Sequence, residues 1–501
     1  MNPIASSKRV RRVLMALAAI TSILLTVGCG SSGNSVVVKG GFNNASLTGS
    51  YAFTVKGYGF NANSNSAANF FVEGGVFTAD GNGTITAGLN DFVEVVGSTT
   101  QAFTGTAITG AYSINSDGTG DLQFNVPAGV LEVYRITLKD SGELYMQQED
   151  GFGTSAGSAL LQDSGQLSTT PSGTFVFRTH DVQVSSTMAR VAISSGALSG
   201  SYLMVQNGVP VSGLFANGDS MTAPAGGRGS VSYTENGVTH SAEYYVVNAN
   251  KFLLLDTTTN ILAVGVAEKQ SNVTFSAASL SGSYAFGSSG ETATGFINTV
   301  GVFTTDGVSQ VSAANFDSVQ DASVSRDQTA IGTYLIDNSI GNGSGSFTLG
   351  GVQRDIWMVS PSRAYFIALN GTNVEDGTLD QQSGTFTNTS LSTQAAFFMD
   401  GFDWVNGLFK DRVGTLVPSG TGSLGTNYVT SFFDFNTLVG GSNPNAFSGT
   451  YTVASNGRTT TQLNGFTNNI VLYLTTNSSG YMLQADTGVN ISGAFKAQTT
   501  P

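Results

Sequence analysis

Cysteine is almost absent. Cys29 stands alone in 501 residues, so the chain can form no internal disulfide and no cysteine-rich metal cluster. Histidine is nearly as scarce, with His180 and His240 only, and no His-Glu-x-x-His or Cys/His ligand set exists. Charged residues are 11% of the chain, and acids outnumber bases 33 to 20. The resulting formal charge of −13 repels phosphate backbones and anionic headgroups, which excludes nucleic acid as a partner. Beyond residue 28 there is no long apolar run and no window with the 3.6-residue period of an amphipathic helix.

The first residues read differently. Lys8, Arg9, Arg11 and Arg12 precede an uncharged, mostly apolar run from Val13 to Val27, too short to span a bilayer comfortably. It ends in Leu24-Leu25-Thr26-Val27-Gly28-Cys29, which resembles the lipobox of bacterial lipoproteins, with Thr26 where leucine is usual. The resemblance implies cleavage after residue 28, lipidation of Cys29 and attachment to a membrane through acyl chains. Gly30 rather than Asp follows the cysteine, and by likeness to the sorting rule of double-membraned bacteria this implies the outer membrane. Losing the four N-terminal positive charges moves the formal charge from −13 to −17. A Gly/Ser/Asn-rich stretch then reads as a tether.

What the chain has in abundance is glycine, aromatics and internal repetition. Leu47-Thr48-Gly49-Ser50-Tyr51-Ala52-Phe53 recurs as Leu280-Ser281-Gly282-Ser283-Tyr284-Ala285-Phe286, with weaker copies at Gly173 to Phe177 and Leu391 to Phe397. Gly75-Val76-Phe77-Thr78-Ala79-Asp80-Gly81 matches Gly301-Val302-Phe303-Thr304-Thr305-Asp306-Gly307. A Gly-x-Tyr recurs at Tyr112, Tyr334 and Tyr451. Each unit also closes alike, from Gly157 to Gln162, Gly265 to Gln270, Gly377 to Gln382 and Gly493 to Gln498. These closures lie 108, 112 and 116 residues apart. The organisation expected is a signal peptide over 1–28, a lipidated tether over 29–43, and β units over 44–163, 171–270, 279–382 and 388–498.

Within a unit the apolar period is two, as in Tyr51-Ala52-Phe53-Thr54-Val55, which marks half-buried strands. Asp80-Gly81-Asn82-Gly83, Asp117-Gly118, Asn207-Gly208 and Asn456-Gly457 supply the positive φ that tight hairpins need. About eight strands per unit predict an all-β fold of tandem small antiparallel barrels, with two-sheet sandwiches as the alternative. Barrel closure is preferred because it removes exposed edges. The Gly-x-aromatic opening resembles the first strand of lipocalin- and avidin-like up-and-down barrels, and the chain as a whole resembles bacterial repeat lipoproteins carrying Gly-x-Tyr-x-Phe; neither resemblance implies an activity. A transmembrane barrel is the rival architecture, opposed by the anchor, the short repeat and a non-aromatic C-terminus.

No catalytic site and no cofactor or metal site emerges. His180 lies beside Asp181 and His240 three residues before Glu243, pairings that would suit a base or metal ligand but read more simply as strand or loop polarity. Gly153-Thr154-Ser155-Ala156-Gly157 matches a nucleophile elbow, yet that motif works only on a strand-to-helix turn, so it is expected to be a loop. Asp80 to Thr84 reads as turn chemistry rather than a calcium loop, Asp91 standing where the bidentate glutamate would be. Trp357 and Trp404 are candidates for sugar stacking or, more simply, for packing. The function expected is that of a lipid-anchored, non-enzymatic envelope or surface protein of structural, adhesive or binding type. Its partners are the membrane and an undefined small-molecule, glycan or protein ligand. The alternative is binding of an apolar or sugar-like molecule inside each barrel, which a residual cavity would favour. The third reading, a hydrolase, requires a histidine, a serine and an acid in one cleft.

Overall fold

The computed structural model describes residues 40–60, 68–96, 99–127, 130–182, 185–339, 341–371, 373–434, 439–464 and 469–500. The signal segment, Cys29 and most of the tether lie outside these residues. The described chain is all-β, with four closed eight-strand antiparallel barrels in tandem. Barrel 1 holds β1 (Thr48–Phe60), β2 (Ala68–Asp80), β3 (Thr84–Val96), β4 (Thr99–Ala107), β5 (Thr109–Ile114), β6 (Thr119–Val126), β7 (Val130–Leu138), β8 (Glu143–Gln148) and β9 (Gly153–Leu161). Pairing of β2 with β3 closes it, and β4 with β5 forms one stave broken at Ile108. Barrel 2 runs from β10 (Gly173–Asp181) to β18 (Ala263–Lys269), with β11 (Ser185–Ser194), β15 (Arg228–Glu235), β16 (Val238–Asn248) and β17 (Lys251–Asp256) between. Barrel 3 runs from β19 (Ser281–Glu291) to β26 (Asn373–Gln381) and includes β24 (Val352–Ser360) and β25 (Arg363–Asn370). Barrel 4 runs from β27 (Ala395–Asp403) to β34 (Val489–Ala497) and includes β28 (Leu408–Pro418), β32 (Ile470–Thr476) and β33 (Ser479–Asp486).

Period two sends alternate residues of each first strand inward. Tyr51, Phe53 and Val55 enter the core of barrel 1, where Tyr51 stacks on Phe77 at 5.3 Å and Phe53 meets Phe124 at 5.5 Å. Phe175 and Phe177, Tyr284 and Phe286, and Phe397 and Met399 do the same in the other three. One half of every barrel is thus packed solid. The Gly-x-Tyr tyrosines seal that end, Tyr112 donating to the Leu47 carbonyl and Tyr451 to that of Leu391.

The outward residues of the same strands are also buried, because the barrels pack on one another in a ring. The first strands of each barrel lie on the sixth and seventh staves of the next: β1 on β16 and β17, β10 and β11 on β24 and β25, β19 on β32 and β33. The fourth seam joins β27 and β28 back to β7, β8 and β9, so a head-to-tail contact closes after four copies. Each seam has its own apolar cluster. Val72 and Val93 face Tyr245 and Leu255, Val176 and Met188 face Trp357 and Ile367, Val300 and Val302 face Tyr473 and Leu483, and Ala396 and Val413 face Tyr145.

The unit-closing glutamines lock these seams. Nε2 of Gln162 donates to Val246 O, Gln270 to Met358 O, Gln382 to Leu474 O and Gln498 to Leu138 O, at 2.6 to 2.7 Å. Each amide rests on a glycine of the receiving barrel, Gly227, Gly343, Gly457 and Gly118 respectively, all with φ between +82° and +86°. Alternate seams add an ionic clamp. Arg228 grips Asp91 through Nε and Nη2 at 2.8 and 2.7 Å while Tyr245 donates to the same carboxylate at 2.8 Å. Arg458, Asp317 and Tyr473 repeat the arrangement between barrels 3 and 4.

Candidate functional site

Ring packing leaves a chamber on the axis to which all four barrels contribute. It measures about 630 Å³ and is lined chiefly by the first and last strands of each unit. At one level stand four residues in equivalent register: Lys56, His180, Ser289 and Asp400, opposite Ala156, Val264, Asp376 and Ser492 of the last strands. These four also line a smaller cavity of about 70 Å³ on the same axis, walled by Tyr58, Phe296 and Phe409. They form a polar septum between the two spaces.

The charged members of the septum are paired. Lys56 Nζ lies 3.2 Å from Asp400 Oδ2. His180 Nδ1 lies 2.6 Å from Asp376 Oδ1, and Nε2 lies 3.0 Å from Glu291 Oε1. Burial works against charge on the imidazole, but Glu291 and Asp376 outweigh it and hold the pKa up at about 10. Both nitrogens are therefore donors at neutral pH. Arg178 completes the cluster by binding the other oxygen of Asp376.

Nearer the start of the first strands the chamber wall is cationic. Lys139, Lys251, Arg363 and Lys496 join Lys56 and Arg178, giving six basic residues against the acids Glu143, Asp376, Asp380 and Asp400. Lys496 binds Glu143 across the seam between barrels 4 and 1 at 2.6 Å. Arg363 binds Glu268 across the seam between barrels 3 and 2 at 2.6 Å, and Asp380 in its own barrel at 2.7 Å. The six cations keep 26 to 44% of their side-chain surface open, against 24 and 27% for Asp400 and Asp380, 15% for Glu143 and Glu268 and 1% for Asp376. The bases face the water, and Glu143, Glu268 and Asp376 sit behind them. In a chain with an excess of acids this is a local inversion of charge.

The residues singled out from the sequence fall into place unevenly. His180 is on the axis, but its partners come from barrel 3 and not from neighbouring Asp181. Ser186 does approach it, 3.1 Å from Nδ1, yet on the nitrogen that already holds Asp376. A serine relay needs serine and acid on opposite nitrogens with one lone pair free, and neither condition is met here. His240 pairs with Asp256 at 2.6 Å and Glu235 at 3.7 Å inside barrel 2, not with Glu243. Gly153 to Gly157 is strand β9 rather than a loop, with Ser155 fully buried, because its small residues let β9 lie flat against β1 and barrel 4. Asp80 accepts the Asn82 and Thr84 amides across its turn, and Asp91 belongs to the clamp. Trp357 is buried in a seam, and Trp404 donates to Asn490 at 3.0 Å beside Phe296 and Phe402.

The six chamber cations were missed in the sequence because they are dispersed over it. The available signal was the run of consecutive apolar residues in Phe252-Leu253-Leu254-Leu255, Tyr365-Phe366-Ile367 and Val471-Leu472-Tyr473-Leu474, which marks strands covered on both faces. No protein-family model matches the chain, and no curated protein matches it. Among solved structures, intact Ap-TbpB with its N and C lobes aligns over 84% of this chain and 82% of that one, at 9% identity and a TM-score of 0.12.

Proposed function

We propose that this chain is a lipid-tethered, non-catalytic envelope protein that binds a small polyanion in its axial chamber. One observation carries the reading: six basic side chains from all four units converge, with their charged ends toward water, on a space of about 630 Å³ in an otherwise acidic molecule. A cavity of that size suits a small-molecule ligand. Cations held in place by acids behind them lose little freedom on meeting a ligand, which favours binding. The filled apolar halves of the barrels argue for the space between units over the space within them.

Pyrophosphate and citrate are suitable probes, added to the purified chain in titration calorimetry and thermal unfolding. Both are expected to bind and to raise Tm at low salt, with the effect fading as ionic strength rises. Lys251→Gln with Lys496→Gln, two rim positions, is expected to weaken binding at least about tenfold. Failure of both anions to bind would sink the chamber reading and leave a purely structural role. The anchor is tested separately by mass spectrometry of the mature N-terminus, where an unmodified Cys29 thiol would remove it.

A further inference from the structure

The four barrels share a polar layer at the end opposite the sealed one, and its chemistry differs in each. Barrel 1 places Glu73 there, hydrogen-bonded by Tyr134. Barrel 2 places His240 between Asp256 and Glu235. Barrel 3 places Arg354 with Glu375, the guanidinium lying over Phe347 and Phe366. In these three the buried ionisable group has a partner of its own barrel.

Barrel 4 breaks the pattern. At the position where barrel 1 has Glu73, opposite Met399 in β27, stands Arg412. It is 4% exposed and forms no ion pair among the described residues. Its Nη1 donates to Gln484 Oε1 at 2.6 Å, while its Nε finds no acceptor among the described residues. Asp403, Asp486 and Asp411 act on it from nearby, but each is engaged by another group: Asp403 by Lys410 at 2.6 Å, Asp486 by Asn469 and Gln484 at 2.8 and 3.0 Å, and Asp411 by Thr154. Burial consequently pulls the guanidinium pKa down. A buried cation without a direct ion pair is costly, and an anion bound against it would offset that cost.

Space for that counter-ion exists. Arg412 lines a cavity of about 640 Å³ in the mouth of barrel 4. Its wall offers amides and a hydroxyl from Asn443, Asn445 and Thr430 and the rings of Tyr428 and Phe432, and beside Arg412 it carries Lys410, already paired with Asp403, and Asp486, held by Asn469 and Gln484. Such a wall matches a body that carries hydroxyls on its edge and C–H groups on its face. We infer that the mouth of barrel 4 binds a small hydroxylated carboxylate of the sugar-acid class, its carboxylate neutralising Arg412. This site is separate from the axial chamber and does not depend on it.

The test uses the full mature chain with D-glucuronate as the probe, and D-glucose and the uncharged methyl ester of glucuronate as controls. Glucuronate is expected to bind saturably and raise Tm, and the two neutral sugars to do neither. Arg412→Met is expected to abolish binding while the ligand-free Tm holds or rises, because an apolar chain replaces an unpaired buried charge. Thr430→Val, at the half-buried wall, is expected to fold normally and weaken binding several-fold. The rim pair Lys251→Gln and Lys496→Gln is expected to leave glucuronate affinity unchanged, which separates this site from the chamber. Equal binding of glucose, undiminished glucuronate binding in Arg412→Met or, should that variant misfold, in Thr430→Val, or loss confined to the chamber variant would overturn the inference.

Discussion

At the scale of single residues, the seams rest on a glutamine seated on a glycine, used four times. Replacing Gln162 by Ala removes the donor to Val246 O and leaves a carbonyl stranded in a closed seam, a loss of about 1–3 kcal/mol. Gly227→Ala forces a β-carbon into φ +85° and within 2.2 Å of Gln162 Nε2, a cost of about 1–2 kcal/mol from the backbone alone. The double variant should be less unstable than the two losses added, since removing the amide clears the space the new methyl needs. Thermal and denaturant unfolding of the four proteins checks this, and strict additivity would show that the two residues do not act as one device. Titrating groups act at the same scale. Burial pushes Glu73 and Glu235 to about 7 and Asp150 to about 6, and the acids around His180 hold it at about 10. All four sit above their ordinary values, so their stabilisation is complete below the unfolded pKa and drains away as pH climbs through the folded one. Glu268 works oppositely: burial alone would raise it, but Arg363 and Lys251 hold it at about 2, and its contribution is lost only as pH falls below about 4. Stability is therefore expected to peak near pH 5 and decline toward pH 8, and Glu73→Gln should flatten that decline when Tm is measured against pH.

At the scale of strands, the inner half of the fold was legible and the outer half was not. Alternation in Tyr51-Ala52-Phe53 and its copies, reset by Asp-Gly and Asn-Gly turns, identified half-buried strands, and eight per unit pointed to closed barrels over sandwiches, as found. Alternation says which residues face a core, but a small outward residue reads the same whether water or another barrel covers it. Ala52, Ala285 and Ala396 are all fully buried in seams for this reason. The closing glutamines were visible as a repeat, yet their acceptors lie 84 to 88 residues onward for Gln162 and Gln270, and 360 residues back for Gln498. Spacing along the chain carries no trace of such a partner. The same holds for Arg412, whose lack of an ion pair becomes apparent only once the nearby acids are seen to be engaged.

At the scale of the molecule, the repeated head-to-tail seam means that no barrel is intrinsically first. The described ends confirm this geometry: a β-carbon at Gly41 would lie 3.0 Å from Thr500 Cγ2, and Thr499 donates to Lys139 O as Asp163, Ser271 and Ser383 donate at the other three seams. Three seams are crossed by covalent linkers, and at the fourth the two described ends meet with the same non-covalent locks in place. A circular permutant that joins residue 500 to residue 41 through a short flexible linker, and opens the chain between Gln270 and Phe275, should therefore fold and keep a Tm within a few degrees of the parent. Opening instead between β24 and β25 removes a tight hairpin that fixes register within barrel 3, and should cost far more. Hydrogen exchange on the two permutants discriminates the cases, because the first leaves every barrel's protection intact. If cutting a linker proves as damaging as cutting a hairpin, the seams are held by chain connectivity rather than by their glutamines and clamps, and the four-fold ring is not the unit of stability.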